Sequence, residues 1–169
     1  MYTRTQTGRG QGIFAKPLQG DAPPFAVVSP LGPNTALAGF RISPNGRCIA
    51  YLSTESGTNE IYIAPFPKGE GKWQVSNGGG DFPAWRGDSK EIFFWSNADE
   101  VFAADITEQN GELQVGTPKS LFRTNASAIG APYDVDRSGQ RFLVNRAEDE
   151  ASTALNLISN WTSELKKKQ

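Results

Sequence analysis

Histidine is missing from the 169-residue chain, and cysteine occurs once, as Cys48. Without histidine, the chain lacks the most common general base and metal ligand, and it cannot form a Ser-His-Asp arrangement. A single cysteine forms no disulfide within the chain and no thiolate zinc site. We therefore predict that the chain is not an enzyme and that it has no catalytic residue, no cofactor and no metal site.

Long apolar runs are also missing, so the sequence predicts neither a transmembrane segment nor the apolar core of a signal peptide. As it stands, the chain is expected to be cytoplasmic; as part of a longer exported or membrane-anchored protein it would be periplasmic. The formal net charge is −1, and the clearest basic cluster is the lysines at 166–168. Nucleic acid is therefore not an expected partner.

Glycine and proline are plentiful, with 18 and 11 residues, which is typical of many turns and few helices. The stretch 40–53, which reads FRISPNGRCIAYLS, returns in weaker form further along the chain. Each copy has a large apolar residue, a polar turn and then a run of apolar residues. Counted from Ile42, Trp85 and Val135, the copies lie 43 and 50 residues apart. This period indicates a repeat architecture with units of the size of a propeller blade.

The strands that follow the second and third turns are apolar at consecutive positions, at 92–95 and 142–144. Because consecutive residues of a strand point to opposite faces, both faces must be buried. A parallel α/β sheet would need crossover helices, which the sequence does not predict. We predict an all-β chain of about 13 strands that forms a partial β-propeller of three to four four-stranded blades. An irregular β-sandwich is the alternative.

The predicted domain is the propeller at 12–163, between a flexible N-terminal arm at 1–11 and a flexible C-terminal tail at 164–169. Two blades are expected to be complete, at 40–75 and 84–122, with a longer connection at 106–116. Five aromatic side chains are expected to be buried between blades: Tyr51, Trp85, Phe93, Phe94 and Phe142.

The stretch 42–51, ISPNGRCIAY, resembles the repeat of TolB-type β-propellers, with Asn45 in place of the usual Asp. The runs 59–67 and 71–76, and the ending 141–145 followed by 160–165, are similar to the C-terminal propeller that follows the kinase domain of some bacterial serine/threonine protein kinases. This resemblance implies a propeller of six to eight blades that acts as a sensor or docking module. The motifs of the kinase domain itself are missing from the chain.

The candidate sites lie in turns and crossovers. The run at 78–81, Gly-Gly-Gly-Asp, has backbone N–H groups that can bind an anion, although a crossover between blades is the simpler interpretation. The aspartates lack the spacing of a calcium loop, so roles in turns are favoured for them. The predicted binding face consists of Gly79, Gly80, Asp81, Trp85, Tyr133 and Asp134.

The predicted function is a non-catalytic module for protein–protein interaction or ligand sensing, derived from the TolB-like region of a larger bacterial signalling protein. The expected partner is a protein or peptide. The alternative is a detached propeller portion of a prolyl-oligopeptidase-type peptidase or of a glycosidase. The peptidase needs a Gly-x-Ser-x-Gly motif and a histidine, and the glycosidase needs paired carboxylates around a pocket.

A homodimer that completes a propeller is also predicted, because bare strand edges and apolar end faces invite pairing. The N-terminal hairpin, 12–28, corresponds to the third and fourth strands of a blade. The C-terminal unit supplies a first and a second strand, with 155–161 as a possible third. Two chains would then share two hybrid blades in a ring of about six. The alternative is a fragment whose missing blades lie upstream.

Overall fold

The computed structural model describes residues 1–6, 10–29, 32–67, 71–109, 112–124, 130–146 and, as a strand only, 156–159. In these residues the chain is all β, with 15 strands and no helix. The strands are β1 (Tyr2–Gln6), β2 (Gly10–Ala15), β3 (Phe25–Val28), β4 (Leu37–Ile42), β5 (Cys48–Ser53), β6 (Glu60–Pro65), β7 (Trp73–Gln74), β8 (Asp81–Trp85), β9 (Glu91–Trp95), β10 (Glu100–Gln109), β11 (Glu112–Val115), β12 (Lys119–Arg123), β13 (Tyr133–Val135), β14 (Arg141–Val144) and β15 (Asn156–Ser159).

The strands form four antiparallel sheets that follow one another along the chain. The first sheet is β1-β2-β3, the second β4-β5-β6-β7 and the fourth β13-β14-β15. In the third sheet, β8, β9 and β10 follow in order, and the two halves of β10 pair separately with β12 and β11. The first strands of the last three sheets lie side by side, with β8 between β4 and β13. This is the arrangement of successive propeller blades, each of which begins with its innermost strand.

The repeated turn closes the first hairpin of the second, third and fourth sheets with the same hydrogen bonds. In the second sheet, the Ser43 N–H donates to the Cys48 carbonyl at 2.9 Å, and the Gly46 N–H donates to the Ser43 carbonyl at 2.8 Å. Both bonds recur at the equivalent residues 43 and 93 positions later. The residue that ends each turn has a positive φ: 71° at Gly46, 64° at Ser89 and 73° at Gly139. The repeat predicted from the sequence is therefore confirmed.

Three apolar clusters fill the spaces between successive sheets. The first contains Ile49 and Tyr51, the second contains Ala50 and Leu52, and all four side chains come from β5. Strand β9 alternates in the same way between the second and third clusters. Both faces of these strands are buried, as consecutive apolar residues predict. All five aromatic side chains predicted to lie between blades are at most 9% exposed: Tyr51, Trp85, Phe93, Phe94 and Phe142.

The structure corrects the sequence-based account at two segments. Within 1–11, where an arm was expected, β1 pairs with β2 from Tyr2 opposite Phe14 to Gln6 opposite Gly10. The connection expected at 106–116 is a hairpin instead, formed by the second half of β10 with β11. The third sheet therefore has five strands rather than four. The tail at 164–169 lies outside the described residues, and the flexibility of the arm and the tail stays a prediction.

The extra strand also changes the account of a shared blade. Strand β1 gives the first sheet three strands, and β15, inside the predicted segment 155–161, gives the fourth sheet three. The two terminal sheets together have six described strands, which are too many for one four-stranded hybrid blade. A second copy of the chain would have to add its complete terminal sheets.

None of the residues that the structure describes forms a helix long and apolar enough to cross a membrane.

Candidate functional site

The predicted binding face is divided between the two ends of β8. Asp81 begins β8 and Tyr133 begins β13, and the Tyr133 hydroxyl donates a hydrogen bond to the Phe82 carbonyl at 2.7 Å. Burial raises the pKa of Tyr133, so this hydroxyl stays a proton donor. Trp85 lies at the far end of β8. The structure therefore places Tyr133 beside the start of β8, where Asp81 lies after Gly79 and Gly80, and separates Trp85 from them.

The glycine run at 78–80, which supplies two residues of that face, binds a carboxylate of the same chain. The N–H groups of Gly78 and Gly79 donate to Glu60 Oε1 at 2.9 and 3.0 Å, and Ser76 Oγ donates to Glu60 Oε2. The Gly80 N–H donates to the Asn59 carbonyl at 2.8 Å. Glu60 is 3% exposed. The anion that this run binds is thus the buried Glu60 side chain, which the sequence analysis missed.

The aspartates of the face and the turns also have partners in the chain. Asp81 accepts a hydrogen bond from Asn59 Nδ2 at 3.1 Å, and burial raises the pKa of Asp81. Asp134 Oδ1 accepts from the Val135 N–H at 2.8 Å. The Arg86 guanidinium holds the pKa of Asp88 at about 2. Across the described ranges, no three His, Cys, Asp or Glu side chains are placed to share a metal ion.

A cavity of about 550 Å³ opens between the second and third sheets, and we call it the inter-sheet cleft. The turns that end β4 and β8, the ends of β6 and β7, and the β10–β11 hairpin enclose it. This volume is typical of ligand pockets. The apolar part of its wall consists of Cys48, Pro65, Trp73, Trp85, Ile106 and Leu113.

Two tryptophans give the inter-sheet cleft an aromatic wall. Trp85 is 9% exposed, and its indole N–H donates to the Arg41 carbonyl at 3.1 Å, which fixes the ring. Trp73 lies opposite Ile63 in the β6–β7 pair. Because Ile63 packs into the cluster between the second and third sheets, Trp73 faces the same side. Burial raises the pKa of the Cys48 thiol, which keeps that group neutral.

An ion pair crosses the mouth of the inter-sheet cleft. Arg47 Nη1, from the second sheet, lies 3.0 Å from Glu108 Oε2, from the third sheet. Both side chains are well exposed, at 66% and 44%, so the pair contributes at most about 1 kcal/mol and opens readily. Asp88 is paired with Arg86. Among the described residues, Lys90 at the rim has no ion-pair partner within 4 Å.

Sequence reasoning did not find the inter-sheet cleft, although Trp85 belonged to the predicted face. The cleft combines five segments that lie far apart along the chain, and their proximity follows from the packing of two sheets. One signal was present: the spacing between the second and third repeats is longer than between the first and second. The added length is the β10–β11 hairpin, which supplies Ile106, Glu108 and Leu113 to the wall.

No family model and no curated protein sequence matches the chain. Solved structures, including the following two, are similar to it in fold. TolB from Acinetobacter baumannii superposes with a TM-score of 0.50 and 14% identity, over 90% of this chain and 47% of TolB. A structure from a study of two prolyl endopeptidases superposes with a TM-score of 0.54 and 11% identity, over 94% of this chain and 29% of the endopeptidase.

The chain thus spans less than half of TolB and less than a third of the endopeptidase. At these identities the likeness shows the fold alone. The described residues form four successive sheets of three to five strands without a helix, stacked face to face, and the neighbours have the same fold. The chain therefore forms a partial β-propeller, similar in fold to TolB.

Proposed function

We propose that the chain is a non-catalytic binding module whose inter-sheet cleft takes a short segment of a protein or peptide partner. The observation that carries this proposal is the cleft itself: about 550 Å³, with two tryptophans in its wall and charged side chains at its rim. Pockets that bind ligands combine an apolar and aromatic lining with a few polar groups that fix orientation. We also propose that this module derives from the TolB-like region of a larger bacterial signalling protein, such as a serine/threonine protein kinase, and that its binding role serves signalling.

The chemistry of the inter-sheet cleft favours binding over catalysis. Its two carboxylates, Asp88 and Glu108, are each paired with an arginine. The Cys48 thiol has a raised pKa, and a neutral thiol is a poor nucleophile. The second candidate, a detached propeller portion of a prolyl-oligopeptidase-type peptidase, is supported by the similarity to the prolyl endopeptidase structure. That role would place the reacting groups outside this chain.

Selection from a random peptide library displayed on phage tests the proposed function. We expect enriched peptides to bind the purified chain, and the Trp73→Ala variant to bind them at least tenfold more weakly, because it removes an aromatic wall. Leu18→Glu is the matched control, since Leu18 is fully exposed and lies outside the inter-sheet cleft. Circular dichroism checks that both variants fold. A library without enriched peptides, or equal binding by Trp73→Ala, would overturn the proposed function.

We also propose that a second copy covers the two end faces of the chain. Leu143 is 43% exposed and points away from the third sheet, because its neighbours Phe142 and Val144 pack towards that sheet. At the other end, Tyr2 stacks on Phe14 with ring centroids 6.0 Å apart, and Tyr2 is 39% exposed. Four sheets from each of two copies would give about eight blades, within the usual range of propellers.

Sedimentation velocity at micromolar concentration tests this assembly. We expect a dimer for the natural chain and a monomer for Leu143→Asp, because a carboxylate would be buried at the contact between copies. Leu18→Asp has the same charge change at an exposed site and should stay dimeric. A well-folded monomer of the natural chain would contradict the dimer and would favour a fragment of a longer propeller.

A further inference from the structure

We propose that the segment taken by the inter-sheet cleft is proline-rich and binds as a polyproline II helix. This inference rests on the proposed function and names the class of its ligand. Three observations carry it: the aromatic wall, a tryptophan N–H group that has no acceptor among the described residues, and a rim whose charges largely cancel.

The aromatic wall has the character of a surface that binds proline-rich segments. Trp73 and Trp85 come from neighbouring sheets, and Pro65 lies on the same wall. Polyproline II segments dock into grooves lined by aromatic side chains, and they are extended before they bind. Little conformational entropy is lost on binding, so a small groove is sufficient.

The Trp73 indole N–H supplies a hydrogen-bond donor. No described residue accepts a hydrogen bond from Trp73 Nε1, whereas the Trp85 N–H is used by Arg41. The ring of Trp73 passes over Gly71, where a Cβ would lie 3.5 Å from it, so the glycine leaves room for the indole. Indole nitrogen donates only, and a polyproline II segment has free backbone carbonyls because it makes no internal hydrogen bonds. A carbonyl of the segment is thus the matching acceptor.

The charges at the rim argue against a strongly acidic or basic ligand. Arg47 is paired with Glu108, and Asp88 is paired with Arg86. Of the charged residues that line the inter-sheet cleft, Lys90 alone among the described residues has no ion-pair partner. One exposed cation gives a weak and salt-screened preference. An uncharged segment is therefore the best match, and its affinity should change less than about threefold between low and physiological salt.

Binding by an extended β-strand is the competing geometry, because β7 is a short last strand of its sheet. The two geometries differ in the backbone groups of the ligand that they use. A peptide that adds a strand needs its N–H groups, which proline lacks. A polyproline II ligand needs its carbonyl groups and its fixed backbone angle. Replacing proline by alanine in the ligand therefore separates them.

The test uses two blocked, fluorescently labelled decapeptides, one of eight prolines and two leucines, the other with alanine in place of each proline. Fluorescence anisotropy with the full chain measures both affinities. We expect the proline peptide to bind at least tenfold more tightly. Trp73→Phe keeps an aromatic ring but removes the N–H donor, and it should weaken the proline peptide about tenfold. Leu18→Ala is the matched control and should bind as the natural chain does.

Two results would overturn the inference. Equal or tighter binding of the alanine peptide would indicate strand addition, and full affinity of Trp73→Phe would show that the indole donor is not used. In both cases peptides from the library would still bind, and the proposed function would stand. If library peptides also fail to bind, the proposed function itself is overturned.

Discussion

Replacing Phe94 with alanine is expected to lower the free energy of unfolding by about 3–5 kcal/mol, because the lost ring leaves a void in a closely packed cluster. Phe94 is 2% exposed and packs in the cluster between the second and third sheets. Its ring stacks on Phe102 with centroids 5.5 Å apart and an interplanar angle of 14°. Urea titration monitored by circular dichroism measures the change.

The neighbouring residue makes this prediction specific to stacked sheets. Phe93 is fully buried in the other cluster, between the third and fourth sheets, edge-on to Phe142 at 5.2 Å. In a sheet with one solvated face, one of two adjacent residues would be exposed, and its replacement would change the free energy of unfolding little. We expect Phe93→Ala to cost as much as Phe94→Ala, and Phe25→Ala, at 38% exposure, to cost far less. A loss below about 1 kcal/mol at either buried position would contradict the packing.

The sequence predicted those parts of the fold that depend on local chemistry. The turn at 43–46 could be predicted because proline and Asn-Gly favour its backbone angles. The apolar run that follows it predicted a strand buried on both faces. Strand β1 could not be predicted from the sequence, since Tyr-Thr-Arg-Thr-Gln has no apolar pattern of its own. Its structure depends on pairing with β2, which a single-segment pattern does not contain.

The candidate site was less predictable than the fold, for a related reason. Glycine at 78–80 correctly indicated N–H groups that bind an anion, but the anion comes from Glu60, 18 residues away from Gly78. An acidic residue at the start of an apolar strand gives no sign that it is buried. The inter-sheet cleft depends on the packing of two sheets, so its residues share no spacing along the sequence.

Replacing Glu60 with alanine is expected to lower the free energy of unfolding by about 2–4 kcal/mol. The carboxylate accepts hydrogen bonds from Gly78, Gly79 and Ser76, and Gly79 is buried. Without it, a buried N–H group and a buried hydroxyl lose their acceptor, which costs more than the hydrogen bond itself contributes. Alanine also leaves a void at the crossover between the second and third sheets.

Glutamine at the same position separates the charge from the hydrogen bonds. Glu60→Gln keeps an oxygen that accepts from the glycine N–H groups, so its loss should be clearly smaller than that of Glu60→Ala. Glu112→Ala, at an exposed position of β11, is the control for removing an acidic side chain and should change the stability by less than about 0.5 kcal/mol. All three variants are compared by urea titration at pH 7. If Glu60→Ala were as mild as Glu112→Ala, the buried carboxylate would not hold the crossover in place, and the run at 78–80 would be open to an external anion.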